Sequence, residues 1–199
     1  LESRPFDIGL MTRVSLSRIR AGASWEEAGA NAWASRPDGS NAGNGSAYRC
    51  APHAIAFRHF DAELTQVSQL SSAITHADPR CRWGCVILNR TLANLIRNER
   101  DPLGTALTNT SSAPEELRTA LTQVQDVITG DHDAAPFEAQ LSTSGYVVDS
   151  LQAGLYYGLT AESAESAIVQ AVNSGGDTDT VGAIAGAVAG ARFGAPSIP

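Results

Sequence analysis

The last part of the chain contains a segment with a glycine at every fourth position, and this regularity constrains how the chain can fold. In Val-Gly-Ala-Ile-Ala-Gly-Ala-Val-Ala-Gly, residues 181–190, the glycines are Gly182, Gly186 and Gly190. Because a helix turns once in about 3.6 residues, these glycines share a face without side chains. Each interior glycine destabilises a helix by about 1 kcal/mol relative to alanine, so close approach of neighbouring backbones must offset that loss. The segment predicts a buried helix that fixes its own N-terminus, and the loop before it, in the interior.

That loop, Ser-Gly-Gly-Asp-Thr-Asp-Thr-Val at residues 174–181, places two carboxylates one residue apart. Asp177 and Asp179 repel each other, and aspartate is a poor residue for a helix interior. One interpretation is that Asp179 or Thr180 caps the helix while Asp177 is solvated. The other is that a cation binds here, because the aspartates and threonines offer only the hard oxygen ligands that Mg²⁺, Mn²⁺ and Ca²⁺ prefer. The context favours the second interpretation without excluding the first.

Composition narrows the class of protein. A chain of 199 residues, 43% hydrophobic and 18% charged, is typical of one globular domain with a substantial core. The net charge is −7 and no basic stripe is found, so a nucleic-acid partner is not expected. All 14 basic residues are arginine, which excludes lysine chemistry. No apolar run reaches the roughly 18 residues of a membrane span, so we expect a cytoplasmic protein without a membrane partner.

The chain has an odd number of cysteines, namely Cys50, Cys81 and Cys85, so a disulfide framework is not expected. Cys81 and Cys85 lie four residues apart in a predicted helix, which places both thiols on one face. A zinc site is one interpretation, but no Cys/His pair at zinc spacing accompanies them, and buried thiols are favoured. Free thiols fit a reducing cytoplasm.

Helical patterns cover nearly the whole chain, whereas no sustained alternation predicts a strand. Ser24 and Glu27 form a capping-box pattern, and Thr160 is the predicted N-cap of a later helix. We predict helices over 7–22, 25–35, from 46 onward, 61–74, 79–98, 114–129, 145–158 and 161–173, with irregular connections at 36–46, 101–114 and 130–144. Residues 1–199 are therefore predicted to form a single compact all-α domain.

The segment GGDTDTVGAIAGAVAGARFG, residues 175–194, resembles the C-terminal signature of the ADP-ribosylglycohydrolase family. That family includes enzymes that remove ADP-ribose from an arginine of dinitrogenase reductase and others that act on different ADP-ribosylated groups. The resemblance implies an all-α multi-helix fold of the family type. It also implies that Asp177, Asp179 and Thr180 bind divalent metal, with two Mg²⁺ or Mn²⁺ ions in the complete protein.

A second match is the loop GSNAGNGSAYRCAP, residues 39–52, which resembles the family's glycine-rich substrate segment. A glycine-rich turn that leads into a helix exposes N–H groups that suit the diphosphate of ADP-ribose, although a plain flexible loop is the alternative. Arg49 either contacts phosphate or has a structural role. The predicted substrate-binding residues of the loop are Ser40, Asn41, Gly43, Asn44, Gly45 and Ser46.

Two further segments carry the resemblance along the chain. ITHADPR, residues 74–80, resembles a family motif whose histidine lies near the substrate, which implies that role for His76. STSGYVVDSLQAGLYY, residues 142–157, resembles a motif that implies Tyr146 packs against adenine or lines the ribose pocket. A hydrogen-bonded structural histidine and a core tyrosine are the alternatives.

FDIG, residues 6–9, matches the family's D-I-G, which implies an acid/base or orienting role for Asp7. The family usually continues with Asn and Thr, whereas this chain has Leu10 and Met11 before Thr12. The chain therefore lacks the polar side chain that family members carry directly after D-I-G.

The resemblance covers nearly all of these residues but not the whole family domain. Family members begin with a G-D-A-x-G…E segment and an Asp-Asp-Thr motif that supply the other metal ligands, and neither occurs here. We expect the chain to correspond to about the C-terminal two thirds of the domain, with N-terminal helices missing. That segment has been cut off, is supplied by a second chain, or is naturally absent.

The resemblance implies a divalent-metal-dependent hydrolase that removes ADP-ribose from a modified protein side chain or another ADP-ribosylated substrate. Metal would orient the ribose and activate water, the glycine loop would hold the diphosphate, and Asp7 would assist proton transfer. The alternatives are a non-catalytic ADP-ribose-binding or structural relative, similar to the family's lens crystallins, and a helical phosphohydrolase that uses the same metals.

Overall fold

The computed structural model describes residues 8–37 and 40–197, and within these ranges the regular structure is helical, with no strand. The all-α prediction is confirmed. The helices are α1 Leu10–Arg20, α2 Trp25–Ala34, α3 Ala51–Ala56, α4 Asp61–Ala73, α5 Pro79–Ile96, α6 Pro102–Thr108, α7 Glu115–Thr129, α8 Ala134–Glu138, α9 Val147–Thr160, α10 Ala164–Asn173 and α11 Thr178–Phe193, followed by a short 3₁₀ helix at Ala195–Ser197.

Helix α5 is the centre of the core. Its side chains are buried on all sides, with Val86, Ile87 and Leu88 at 0–1% exposure, as expected for a helix that is covered by other helices all round. α3, α4, α6, α9 and α11 all pack on it. α9 packs in turn on α7, α10 and α11, whereas α1 packs on α2, which contacts α4. No helix in the described ranges combines the length and the apolar character that crossing a bilayer requires.

The glycine-rich helix α11 is buried as predicted, but its closest packing lies on a different face. Cβ atoms built on Gly182 and Gly186 would meet side chains of α10 and no neighbouring backbone among the described residues, at 3.0 Å from Val172 and 3.6 Å from Ile168. The prediction of close backbone approach at these two glycines is therefore wrong.

The tightest contact of α11 is made by glycines of its neighbour α9. Gly154 and Gly158, one helical turn apart, face Ile184 and Val188, which are also one turn apart. A Cβ atom on Gly158 would lie 2.6 Å from Cβ of Val188. Branched side chains of α11 thus fit into a groove on α9, in the manner of ridges and grooves between packed helices.

The substitution Gly158→Ala is expected to lower the free energy of unfolding by about 2 kcal/mol, because overpacking at a branched Cβ outweighs the better helix propensity of alanine. The matched control is Gly186→Ala, where the nearest atom is 3.6 Å away. That control is expected to be neutral or to stabilise by up to about 1 kcal/mol. Chemical denaturation of both variants measures the difference, and equal stabilities would contradict this account of the packing.

The prediction that residues 101–114 form an irregular connection is wrong over its first half. Pro102–Thr108 is helical, and Asp101 caps it by accepting a hydrogen bond from the Gly104 N–H at 3.1 Å. The Asp-Pro pair is a cap followed by a favourable first helical residue. Neighbouring glycine and threonine residues obscured that signal in the sequence.

Thr160 is not the N-cap of α10. It is the last residue of α9, where its hydroxyl donates to the Tyr156 carbonyl at 2.7 Å. Ser163 takes the capping role, because its hydroxyl accepts from Ser166 N–H while the Ser166 hydroxyl accepts from Ser163 N–H. This reciprocal pair satisfies two N–H groups that have no partner within the helix, and it moves the start of α10 three residues beyond the predicted one.

Candidate functional site

The acidic segment directly precedes and begins α11. Asp177 is the N-cap residue by position, but its side chain forms no capping hydrogen bond, and Asp179 and Thr180 lie in the first turn. Gly175 and Gly176 have φ angles of 80° and 69°, in the left-handed region that glycine adopts without strain. A Cβ atom on Gly176 would overlap the Thr143 carbonyl. The two glycines therefore allow the chain to turn sharply into the helix.

Residues 142–147 hold this turn in place. The Asp177 N–H donates to the Thr143 carbonyl at 2.7 Å, and the Thr143 hydroxyl donates to the Gly175 carbonyl at 2.8 Å. The sequence singled out this segment for Tyr146, whereas its backbone makes the contacts to the acidic turn. Backbone hydrogen bonds of this kind leave little trace in a sequence.

The same segment holds the glycine loop on its other side. Gly43 and Tyr146 form an isolated antiparallel bridge, and the Val147 N–H donates to the Ala42 carbonyl at 2.9 Å. The Asn44 N–H donates to the Gly145 carbonyl at 3.1 Å. The two motifs that the sequence separates by more than a hundred residues therefore flank one short stretch of chain.

Asn44 joins the two motifs directly. Its side-chain amide nitrogen donates to the Asp177 carboxylate at 2.8 Å and to the Ser150 hydroxyl at 2.8 Å. Ser150 in turn donates to the Ser144 carbonyl at 2.8 Å. Both amide hydrogens of Asn44 are therefore committed to holding Asp177 and α9.

A cleft of about 690 Å³ opens between these motifs. It brings together most of the residues that the sequence analysis selected, and it adds the start of α1, Tyr48, Gly145 and Ala183. The selected residues that line it are Ser40, Gly43, Asn44, Gly45, His76, Asp177, Asp179 and Thr180.

Three selected residues lie behind the cleft wall and do not line it. Asn41 is buried, and its amide donates to the Trp33 carbonyl at 3.2 Å. Ser46 is buried and accepts from the Ser72 hydroxyl at 2.9 Å. Tyr146 contributes its backbone to the bridge, while its ring and hydroxyl face Arg80. The remaining selected residue, Asp7, lies outside the described residues.

Tyr146 belongs to a polar network beside the cleft. Its hydroxyl accepts from the Arg80 guanidinium at 2.9 Å, and Arg80 also binds Asp78, which accepts from the Trp33 indole at 3.1 Å. Partial burial, together with a hydrogen bond to Glu116, raises the pKa of Tyr146 to about 12. The phenol is therefore neutral at physiological pH, and in this arrangement it anchors the bridge to α5.

The two carboxyl groups of the acidic motif shift each other's pKa in opposite directions. Partial burial opposes ionisation of Asp177, but hydrogen bonds from Asp179, Asn44 and Thr180 outweigh it and lower its pKa. The hydrogen bond with Asp177 raises the pKa of Asp179. A lowered pKa on one carboxyl group and a raised pKa on the other is the pattern expected of two neighbouring carboxyl groups, because the charge on one opposes ionisation of the other.

This arrangement fits a divalent cation, because its positive charge would offset the repulsion between the two carboxylates. Thr180 adds a third hard oxygen beside the pair, and Mg²⁺ accepts one or two carboxylates together with several waters. Within the described ranges, no group of three or more His, Cys, Asp or Glu side chains comes together. Among the described residues, the acidic motif offers two carboxylates and one hydroxyl at the site.

His76 packs against the glycine loop on the opposite side of the cleft. His76 is 4% exposed, and a Cβ atom on Gly45 would lie 2.6 Å from Cε1 of the imidazole. Burial and the positive charge of Arg49 lower the pKa of His76 to about 4. The imidazole is therefore neutral at physiological pH.

Arg49 has a structural role in this arrangement, which was one of the two interpretations of the sequence. Its guanidinium donates to the carbonyls of Gly45 and Ser71 at 2.9 and 3.0 Å, and to the Thr75 hydroxyl at 2.9 Å. These contacts tie the glycine loop to the end of α4. The helix expected from residue 46 begins only at Ala51, so the loop is held by these side-chain contacts and not by a helix N-terminus next to it.

The titration of His76 predicts a pH-dependent stability. Between pH 6.5 and about 4 the unfolded chain binds a proton at His76 that the folded chain does not, so the free energy of unfolding rises with pH in this window. The contribution of the neutral His76 imidazole to the free energy of unfolding is complete above pH 6.5 and is lost at about pH 4. The difference is up to roughly 3 kcal/mol. Denaturation of the wild type and His76→Gln at neutral pH and at about pH 4.5 tests this. A gap between the two proteins that stays constant with pH would contradict it.

The cysteines support the glycine loop from behind, a role that the sequence did not indicate. All three are free and buried, as predicted. The Cys81 thiol donates to the Gly43 carbonyl at 3.3 Å, the Cys50 thiol to the Ala47 carbonyl at 3.1 Å and the Cys85 thiol to the Ser46 hydroxyl at 3.5 Å. Buried thiols of the core therefore form hydrogen bonds with the back of the glycine loop.

The fold of this chain is all-α, and its cleft brings paired carboxylates and a glycine-rich loop together. The ADP-ribosylglycohydrolase family model matches residues 1–199, and the chain belongs to this family. It is 33% identical to ADP-ribosyl-[dinitrogen reductase] glycohydrolase of Rhodospirillum rubrum over 199 residues, which are 100% of this chain and 60% of that protein.

Two further similarities agree with this assignment. The chain is 33% identical to ADP-ribosylarginine hydrolase Tri1 of Pseudomonas putida (strain GB-1), over 100% of this chain and 49% of that protein. A solved structure titled ADP-ribosylglycohydrolase-related protein complex superposes with a TM-score of 0.74 at 26% identity, and the match covers 96% of this chain and 61% of that one. The chain thus spans about half to three fifths of the length of these relatives.

Proposed function

We propose that this chain forms the substrate cleft of a divalent-metal-dependent hydrolase that removes ADP-ribose from a modified protein side chain. The observation that carries the proposal is the cleft in which Asp177, Asp179 and Thr180 face Gly43 and Gly45. Relatives are named as hydrolases of ADP-ribosylarginine and of ADP-ribosylated dinitrogen reductase. ADP-ribosylarginine is therefore the first substrate to test.

Asp177, Asp179 and Thr180 would hold a Mg²⁺ or Mn²⁺ ion. When bound, such an ion supplies a Lewis acid that lowers the pKa of a coordinated water. Asn44 keeps one Asp177 oxygen in a fixed position by donating to it at 2.8 Å, which orients the carboxylate before any ion arrives. A pair of ions, which the family resemblance implies, requires further ligands besides these three residues.

The glycine loop would hold the diphosphate of ADP-ribose. Within the described part of the chain, the N–H groups of Gly43 and Gly45 form no hydrogen bond, and both residues line the cleft. Backbone N–H groups without partners suit phosphate oxygens. A diphosphate fixed there would place the distal ribose toward the carboxylates across the cleft, and such positioning is a main source of rate acceleration.

The carboxylates also suit the charge that develops during cleavage. Departure of the leaving group from C1″ of the ribose produces oxocarbenium character, as in other glycoside hydrolysis. Negative charge on Asp177 beside that carbon stabilises the developing cation. Asp7, which precedes the cleft residue Ile8 in the sequence, is proposed to assist proton transfer. The buried free thiols fit a reducing compartment, so we place the activity in the cytoplasm.

Replacement of both carboxylates tests the catalytic proposal. Asp177→Asn with Asp179→Asn is expected to lower Mg²⁺-dependent release of ADP-ribose from ADP-ribosylarginine by at least about a hundredfold, since the ion loses its charged ligands. Asp133→Asn is the matched control, because Asp133 is exposed and its side chain caps nothing. Thermal unfolding shows whether each variant folds. Full Mg²⁺-dependent release by the folded double variant would overturn the proposal.

Calorimetry separates a hydrolase from a protein that only binds ADP-ribose. We expect Mg²⁺ to raise the affinity for ADP-ribose on the order of tenfold, because the ion and the ribose meet in one cleft and their binding is coupled. The Asp177→Asn, Asp179→Asn variant should lose this coupling and keep the affinity for ADP-ribose that the protein has without Mg²⁺. Affinity that does not respond to Mg²⁺ in the wild type would instead support a non-catalytic ADP-ribose-binding protein.

A further inference from the structure

The two ring nitrogens of His76 have different surroundings. Nδ1 lies 2.8 Å from the Thr75 hydroxyl oxygen. Nε2 forms no hydrogen bond with any described residue, and His76 lines the cleft. One nitrogen therefore faces the protein, and the other is available to a ligand.

Arg49 determines how Thr75 meets the imidazole. The Arg49 guanidinium donates to the Thr75 hydroxyl oxygen at 2.9 Å. An arginine only donates, so the threonine oxygen accepts in that contact and its own hydrogen must point elsewhere. Thr75 is 4% exposed, and a buried hydroxyl hydrogen needs an acceptor. Among the described residues, His76 Nδ1 is the acceptor within reach.

We propose that Arg49 and Thr75 are positioning residues that fix His76 as the neutral tautomer protonated on Nε2, and that this Nε2–H donates to an oxygen of ADP-ribose in the cleft. The chain of donation runs from Arg49 to Thr75 to Nδ1, which leaves the only ring proton on Nε2. The choice of ligand rests on the proposed function, whereas the tautomer rests on these contacts alone.

The surroundings keep the imidazole in this state. Arg49 stands close enough to oppose a second positive charge, and burial opposes it as well, so the pKa of His76 is about 4. A neutral imidazole with Nδ1 accepting is a hydrogen-bond donor at Nε2 and not a proton source at physiological pH. His76 therefore orients the ligand, and it leaves proton transfer to another group.

The glycine loop shares this arrangement. Arg49 also donates to the Gly45 carbonyl at 2.9 Å, so the residue that orients Thr75 also holds the loop. Because Gly45 has no side chain, the imidazole can lie directly against it. The N–H of Gly45 and the Nε2–H of His76 therefore belong to one rigid surface with two donors for anionic oxygens.

Nitrogen-15 NMR of the imidazole rings tests the tautomer without any ligand or activity. The chain contains four histidines, and comparison with His76→Gln assigns the signal of His76. At neutral pH the wild type is expected to show the pattern of the Nε2–H tautomer. Thr75→Val should raise the Nδ1–H population, whereas Thr75→Ser, which keeps the hydroxyl, should not. A wild-type signal dominated by Nδ1–H would overturn the proposal.

Calorimetric titration with ADP-ribose tests the second part of the proposal, the donation from His76 Nε2–H to the ligand. His76→Leu, which keeps the volume but lacks the donor, is expected to bind about tenfold more weakly than the wild type. His76→Gln, whose amide can place an N–H near the position of Nε2, should recover part of that loss, and Thr75→Val should weaken binding more than Thr75→Ser.

Three outcomes of this titration decide whether His76 Nε2–H donates to ADP-ribose. Wild-type affinity in folded His76→Leu would overturn the assignment of Nε2–H to the ligand. Equal affinities of the glutamine and leucine variants would also overturn it. The two side chains differ in their ability to donate a hydrogen bond, so equal affinities would mean that His76 contributes only its shape. Failure of the wild-type protein to bind ADP-ribose would overturn both the proposed function and this choice of ligand, while the NMR result decides the tautomer separately.

Discussion

The contact on which the rest of the site depends is the double donation by the side-chain amide of Asn44. One hydrogen is donated to the Asp177 carboxylate and the other to the Ser150 hydroxyl, and each acceptor oxygen lies 2.8 Å from the Asn44 nitrogen. A carboxylate, a helix and a glycine-rich loop, from three distant parts of the sequence, are thereby held at one point. Without that amide, the Asp177 carboxylate would lose one hydrogen-bond donor, and the loop would lose its direct side-chain link to the acidic motif and to α9.

The position of the carboxylates follows from helix packing some distance away. Ile184 and Val188 of α11 fit against Gly154 and Gly158 of α9, so the two helices have a single well-packed register. α9 begins at Val147, directly after the segment that holds the acidic turn. One helix pair therefore sets the N-terminus of α11 and the residues that the turn binds. Core packing and the geometry of the cleft are two aspects of one constraint.

Much of this could be predicted from residues, and the failures have physical causes. The acidic motif, the glycine loop and His76 were selected from the sequence, and the structure brings them to one cleft. Tyr146 was selected as a side chain, but its hydrogen-bonded ring turns to Arg80 and its backbone serves the site, since backbone pairing has no residue signature. The glycine stripe of α11 predicted burial correctly and the packing face wrongly, because the glycines that matter belong to the partner helix. A single helix pattern does not reveal what its neighbour offers.

The glycine loop is held on every side before any ligand enters. It pairs with residues 142–147, it receives hydrogen bonds from Arg49 and Cys81, and it lies against the His76 ring. A free glycine-rich chain has more backbone conformations to lose than any other. Here that conformational entropy is lost during folding and not during association, so a diphosphate would meet donors that already stand in place. Preorganisation of this kind turns the most flexible residues of the chain into one of its least adaptable surfaces, which favours selectivity for one shape of anion over affinity for many.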